Sequence, residues 1–513
     1  MPQPSFRPQD PCNHFAPAYR ELAESIVREP AAPAVRPGMR ERLIRCLWFD
    51  QEFEDVLRTE TGDKLTVLSP GWWNLESGPD FKHAAIRFSG GKPLKGDVET
   101  HIYAAGWTQH GHHQDPAYNG VILHVVMWND TGKETSAAQD GREIPILALD
   151  RHVGGAIDEL TETVSTEDYP HTSTAAAGRC QELLRQSSVE PEWIGQFLDH
   201  AGDERMLRKA ARFAEMPEAA SPESILYVSL MEAAGYKKNK KPMGRLARLV
   251  PLDTATKLLA DDGIVSLQAA LFGMAGLLPQ QLELTGVQPD AETAAYVAHL
   301  RDRWNAVQPR LDGAPLEPRA WTFSGTRPAN YPTRRIAAVS RLLERAAESG
   351  GLIPAIEREL RRAPAAPSRR IARSPAAKAV IALLSGVTDP YWTWRTTFGG
   401  SKLRTQTRLI GADRATIMFV DAIVAIMLAV ARAQQDRDLE NRLHRAYATL
   451  PPQSGNSVLR FMASRVFGGP DAASAIVTSA RRQQGLLQLF RDYCENDSDG
   501  CRRCAFAKAL EQG

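Results

Sequence analysis

GPDFKHAAIRFSGGKPLKGDVETHIY, residues 78–103, carries the signals that set the fold of the N-terminal third. Gly78-Pro79 breaks whatever precedes it, Asp80–Phe88 has the composition of a strand, and Gly90-Gly91 supplies a turn into a second strand, Gly96–Tyr103. The spacing predicts a hairpin. In its second arm Asp97, Glu99, His101 and Tyr103 alternate with Val98, Thr100 and Ile102, so the period of two puts the ionisable groups on one face. Charged side chains seldom sit inside a domain unless they are paired or hold a metal, which makes Glu99 and His101 candidate ligands. Asp80, at the start of the neighbouring strand, is within reach of the same place.

Upstream, Glu41–Glu54 carries Leu43, Ile44, Leu47 and Trp48 at helical spacing, an amphipathic helix suited to cover a sheet. Lys64–Leu68 reads as a short strand closed by Pro70-Gly71. Downstream, the polar segment Trp107–Asn119 leads to Val121–Trp128, an apolar run expected of a strand covered on both faces. The predicted order is helix, three strands, irregular segment, strand: an α/β core with a small mixed sheet flanked by helices.

The chain has 513 residues, more than one hydrophobic core accommodates, so several domains are expected. With 43% hydrophobic and 24% charged residues and a net charge of +1, it has the composition of a soluble protein without an overall pull toward polyanions or membranes. Beyond Arg151, alanine, leucine, arginine and glutamate dominate, and helices are predicted at Ile194–Phe213, Ser224–Ala234, Ala291–Ala306 and Arg334–Ala347. The expected layout is a disordered leader over 1–38, the α/β core over 39–150, a linker over 151–178, a mainly α-helical region over 179–490 and a cysteine-containing C-terminal clamp over 491–513. The apolar run Ala415–Ala431 falls short of the roughly 20 residues that cross a bilayer, and it reads as a buried helix. No secretory signal is recognisable at the N-terminus, and a cytoplasmic location is expected.

Pro79-Asp80 opening one strand and Glu99-Thr100-His101 on the next resemble the PD-(D/E)XK nuclease superfamily. The resemblance implies a restriction-endonuclease-like fold, phosphodiester hydrolysis in DNA or RNA, and Mg2+ or Mn2+ held by Asp80 and Glu99. Glu41, from the preceding helix, would assist. His101 stands where the superfamily has a lysine, and histidine lacks lysine's permanent charge. An inactive nuclease-like core serving as a nucleic-acid or protein binding module is the alternative. The wider set Pro70–Asn74, Ser77–Phe81, Gly96–His101, Val121–Val126 and Gly235-Tyr236-Lys237 resembles a bacterial family known as domain of unknown function 2851.

Five of the 12 histidines, His101, His110, His112, His113 and His124, lie between positions 101 and 124. With Asp115, His110, His112 and His124 are candidate ligands for a transition metal or members of a proton relay, and a histidine-ligated metalloenzyme acting on a small molecule is a further alternative. Cys494, Cys501 and Cys504 form a C-x6-C-x2-C pattern. A structural Zn2+ site is expected there, with an iron–sulfur cluster as second choice and Cys180 ahead of Cys46 as fourth ligand. The basic runs Lys237–Lys241, Arg361–Arg373 and Arg395–Arg408, the last beside Tyr391, Trp392 and Trp394, are candidate nucleic-acid contacts.

Overall fold

The computed structural model describes residues 15, 17–26, 39–51, 53, 56–153, 164, 166–172, 176–186, 189–215, 221–279, 290–363, 374–495 and 500–511. The chain divides into two compact units. One comprises Met1–Ala23, Val189–Ser454 and Ser474–Gln488; the other comprises Glu24–Ser188, Gly455–Ala473 and Leu489–Gly513.

The second unit holds a seven-stranded mixed sheet. Helix α1 is Ala18–Ile26, with the division between the units falling after Ala23, and α2 is Glu41–Asp50. Strands follow as β1 Leu65–Ser69, β2 Trp72–Trp73, β3 Phe81–Phe88 and β4 Leu94–Tyr103; then come the short helix α3 Gly106–Gln109, β5 Val121–Trp128, β6 Thr135–Ala137 and β7 Glu143–Ala148. The sheet order is β1-β3-β4-β5-β7-β6, with β2 also on β3. β3 and β4 are antiparallel, β4, β5 and β7 run parallel, and β6 returns antiparallel to β7. The expected hairpin and central strand are present. Strands β2, β6 and β7 were not anticipated: Pro145 interrupts the pattern of β7, yet β7 pairs with β5 through His124 and Ile146.

One face of the sheet is closed by α2, whose Leu43, Ile44, Leu47 and Trp48 pack with Phe81, Ile86, Val98, Leu123 and Val125. Each such side chain contributes about 1.5–3 kcal/mol of transfer free energy. The Trp48 indole donates to the Pro70 carbonyl at 3.0 Å, tying the helix to the loop before β3. In β3 a bulge falls between Phe81 and Ala84, with His83 in the left-handed region at φ 57°. Asp97 fixes it, accepting from the His83 N–H at 3.1 Å and from Lys82 Nζ at 3.0 Å.

Within the stretch expected as a disordered leader, α1 is helical and Phe15 and Tyr19 are buried; the two aromatic anchors outweigh the polar composition around them. The expected boundary between core and helical region also moves. Helix Arg179–Gln186, helix Ser457–Phe467 and the terminal cysteines belong to the unit that contains the sheet.

The first unit is helical throughout its described residues, including Pro191–Glu215, Pro222–Ala234, Ala291–Val307 and Pro332–Ala347. Ala412–Ala433 is long and apolar enough to cross a membrane, but 78% of its apolar window is buried inside the protein. The expected nucleic-acid patches look different in three dimensions. Tyr391 and Trp392 are core residues. Arg395 pairs with Asp290 at 2.7 Å and Glu292 at 2.9 Å, and Arg361 pairs with Glu357, Asp436 and Asp438. Neighbouring acids neutralise these cations, so they offer phosphate little free charge; Arg369, Arg370 and Arg373 lie outside the described residues.

Candidate metal centre

The site is assembled from α2, the start of β3, β4 and the turn after α3. Period two on β4 brings Glu99 and His101 to one face, and both are buried. Glu41, at the start of α2, reaches the same place: Glu41, Glu99 and His101 each offer a ligand atom, all within 4.8 Å of one another. His101, His110 and His112 form a second group under the same limit and share His101 with the first.

Asp80 is adjacent but differently engaged. Its Oδ1 lies 2.7 Å from Arg45 Nη2, and its Oδ2 accepts from the Thr100 N–H at 3.2 Å and from the Thr100 hydroxyl. The Asp80 N–H donates to Glu99 Oε2 at 2.9 Å. Asp80, expected as a metal ligand, has partners on both oxygens and lies outside the two groups of converging ligand atoms. Asp115 is also displaced from the expected ligand set. It is exposed and caps the turn Pro116–Tyr118 by accepting from the Ala117 N–H at 2.9 Å. Arg45, Thr100 and Ser136 were missed; Arg45 follows Glu41 by four residues and so shares its helix face, the one signal available.

The imidazoles form a chain. Ser136 Oγ lies 2.8 Å from His124 Nδ1, His124 Nε2 lies 2.9 Å from His101 Nδ1, and His101 Nε2 lies 3.1 Å from His110 Nδ1. Two opposite proton orders satisfy the buried part; in the one that suits a metal, His101 Nδ1–H donates to His124 Nε2, and His124 Nδ1–H donates to Ser136. This order leaves the lone pair of His101 Nε2 facing Glu99 and His110, the tautomer a metal ligand needs. His124, expected as a ligand, uses both nitrogens in this chain and acts as the orienting group. His110 is the exposed end. His112 is 7% exposed, its ring stacked on Tyr118 at 3.8 Å; its Nε2 stands 3.3 Å from Glu99 Oε1 and makes no hydrogen bond among the described residues. An orphaned buried nitrogen beside a carboxylate suits a cation placed between them.

Electrostatics agrees with the geometry. Burial, then the Asp80 charge, pushes Glu99 up to about 9 and Glu41 up to about 7. Burial also pushes Asp80 up, although Arg45 and Thr100 pull against it. Burial lowers His101 far below its usual value, His124 to about 3 and His112 to about 4, with neighbouring imidazoles adding to the effect. The histidines are held neutral, as ligands must be, and three crowded carboxyls share one guanidinium. A divalent cation would relieve that imbalance.

Gly106 shows how tightly His101 is held. A Cβ there would stand 2.8 and 2.9 Å from the His101 ring. Alanine favours a helix by about 1 kcal/mol over glycine, so any loss in Gly106→Ala reports the clash. Melting of the metal-free variant is expected to show a net loss of about 1–2 kcal/mol. Calorimetric titration should show Mn2+ binding weakened by about 10-fold or more as His101 shifts.

The family model described as "Protein of unknown function (DUF2851)" matches residues 41–456, and the chain belongs to that family. No curated protein and no solved structure matches it.

Proposed function

We propose that this DUF2851 member is a metal-dependent hydrolase of phosphodiester bonds in DNA or RNA, with a divalent ion held by Glu41, Glu99 and His101. The convergence of those three ligand atoms within 4.8 Å carries the reading. The order of α2, the antiparallel pair β3–β4 and the parallel strand β5 supports the likeness to a restriction-endonuclease-like core, with Pro79-Asp80 and Glu99-Thr100-His101 at its motif positions. Two carboxylates suit Mg2+ or Mn2+, and the imidazole shifts the preference to Mn2+. Bound there, the ion would lower the pKa of its water and offset charge on a phosphate. Arg45, held by Asp80 and 31% exposed, lies beside the carboxylates as a partner for a phosphate oxygen. The chain from Ser136 through His124 keeps His101 in its ligating tautomer, and His110 at the exposed end can pass a proton to solvent.

A second reading rests on the 2.7 Å Arg45–Asp80 pair: an inactive core in which the guanidinium has replaced the ion, retained as a binding module. The convergence of Glu41, Glu99 and His101, which the Arg45–Asp80 pair does not account for, favours the first reading.

Mn2+ titration calorimetry between pH 5 and 9, with cleavage of plasmid DNA and of a single-stranded RNA, tests it. Glu41 and Glu99 must lose their protons to bind, so affinity should climb across this range, by up to about tenfold per pH unit for each group below its pKa. Cleavage should follow the same rise and stop with EDTA. Absence of Mn2+ binding at pH 9 would overturn the metal site, and binding without cleavage of either polymer would overturn the phosphodiesterase assignment.

A further inference from the structure

Four cysteines from distant parts of the chain lie in the unit that holds the sheet, on elements that pack together. Cys180 lies in helix Arg179–Gln186, and Cys494 ends the π-helical turn Phe490–Cys494. Cys501 lies in the turn Gly500–Arg503, and Cys504 precedes helix Ala505–Glu511. Helix Arg179–Gln186 packs on both Ala505–Glu511 and Ser457–Phe467, while Phe490–Cys494 packs on Gly500–Arg503. Arg465, buried on Ser457–Phe467, stands between the two groups of cysteines. Its Nη2 lies 3.6 Å from Cys501 Sγ, and its carbonyl accepts from the Gly178 N–H at 2.9 Å. A Cβ on Gly178 would meet Cys180 Sγ at 3.1 Å and Arg465 Cγ at 3.2 Å, so Cys180 presses against the same arginine.

All four thiols are free of disulfides, and Cys180, Cys494 and Cys504 are buried. Buried cysteine by itself is an ordinary small apolar residue. Arg465 adds a cation beside Cys501, and a neighbouring guanidinium favours thiolate over the S–H group. Mutual proximity shows in the thiols' titration as well. Burial, then Cys501, raises Cys180 to about 11; Cys504 rises to about 12 with Cys180 and Cys501 contributing; and Cys494 is raised by burial, Cys504 and Cys180. Cys46, on α2, is perturbed instead by burial and by Arg42, Asp50 and Glu495, and stands outside this group.

We propose that Cys180, Cys494, Cys501 and Cys504 together hold a thiophilic metal centre, a zinc ion or an iron–sulfur cluster, that ties the C-terminal segment to helix Arg179–Gln186. On binding, the four S–H groups release their protons to solvent, and Arg465 offsets part of the excess negative charge that four thiolates leave around the metal. No electron transfer is involved in the clamp itself.

The test uses the full chain, purified without chelator from cells supplied with zinc and iron. Elemental analysis, acid-labile sulfide and the visible spectrum distinguish the two centres: about one zinc per chain with no visible band, or iron with matching sulfide and absorbance near 400 nm. Either result supports the site and names its occupant. Cys501→Ser/Cys504→Ser is expected to lose at least nine-tenths of that metal, while Cys46→Ser and Glu99→Gln keep it, separating this centre from the one on the sheet. Should the double variant fold poorly, mass-spectrometric alkylation of the parent replaces it: Cys180, Cys494, Cys501 and Cys504 should label at least about tenfold faster after chelation, and Cys46 should not. A parent chain with neither zinc nor iron, or with metal retained in Cys501→Ser/Cys504→Ser, overturns the proposal.

Discussion

Glu99→Gln should abolish Mn2+-dependent cleavage while leaving the metal-free protein at least as stable as the parent. The loss of one anionic ligand removes several kcal/mol of charge stabilisation, and at about 1.4 kcal/mol per decade a fall of about a thousandfold in kcat is expected. Stability is not lost, for a separate reason. With its pKa raised to about 9, the Glu99 carboxyl is protonated at neutral pH when no ion is bound, and glutamine is its near-isostere. Its amide oxygen can still accept from the Asp80 N–H, and its NH2 can donate to the orphaned His112 Nε2. Below about pH 4.5 melting should shift by less than about 0.5 kcal/mol, and above it Glu99→Gln should become the more stable of the two, by up to about 1.4 kcal/mol per pH unit. The pH dependence separates the variants further. A folded-state pKa above the ordinary 4.5 gives stability that is fully present below 4.5 and lost as pH rises through about 9. The metal-free parent should show that decline, reinforced by Glu41 up to about pH 7, and Glu99→Gln should show only the Glu41 part. Retention of full cleavage in Glu99→Gln would remove the carboxylate from the mechanism.

Arg45→Met is expected to give the largest loss of stability in the α/β core. It strands Asp80, which is buried and left with Thr100 as its remaining side-chain partner. Removing one member of a buried pair costs about 3–5 kcal/mol. The cost should shrink on acidification, because protonated Asp80 no longer needs a counter-charge. Mn2+ at about 100 times its Kd should return about 2.7 kcal/mol. The same variant separates the two readings of the site. If ion and guanidinium work together, parent and Arg45→Met bind Mn2+ with the same stoichiometry. If the guanidinium has replaced the ion, only Arg45→Met binds it, and the parent cleaves nothing. Chemical denaturation with and without Mn2+ measures both effects.

Local patterns carried much of this molecule. Glycine and proline breakers with alternating strands placed β3, β4 and β5 and the helix before them, and period two on β4 put Glu99 and His101 on one face. Long amphipathic runs marked the helices of the other unit. Short or interrupted strands escaped: β6 has three residues and β7 contains Pro145, so neither has enough periodicity to be recognised. Tyr391 and Trp392 were misplaced for a related reason, since composition does not reveal which face of a segment is buried.

The placement of Glu99 and His101 on one face was therefore legible from spacing, as was the spacing of the late cysteines, whereas Glu41 entered only through the superfamily resemblance. What the amino-acid order leaves open is who meets whom across elements. Parallel register sets Glu99 beside His124, and folding brings Ser136 to the end of the histidine chain. The approach of α2 gives Arg45 to Asp80. Packing of helices from three parts of the chain brings Cys180 and the late cysteines around Arg465. Periodicity is a property of neighbours along the chain, whereas ligand geometry depends on contacts between residues far apart in sequence, and only the folded backbone supplies those.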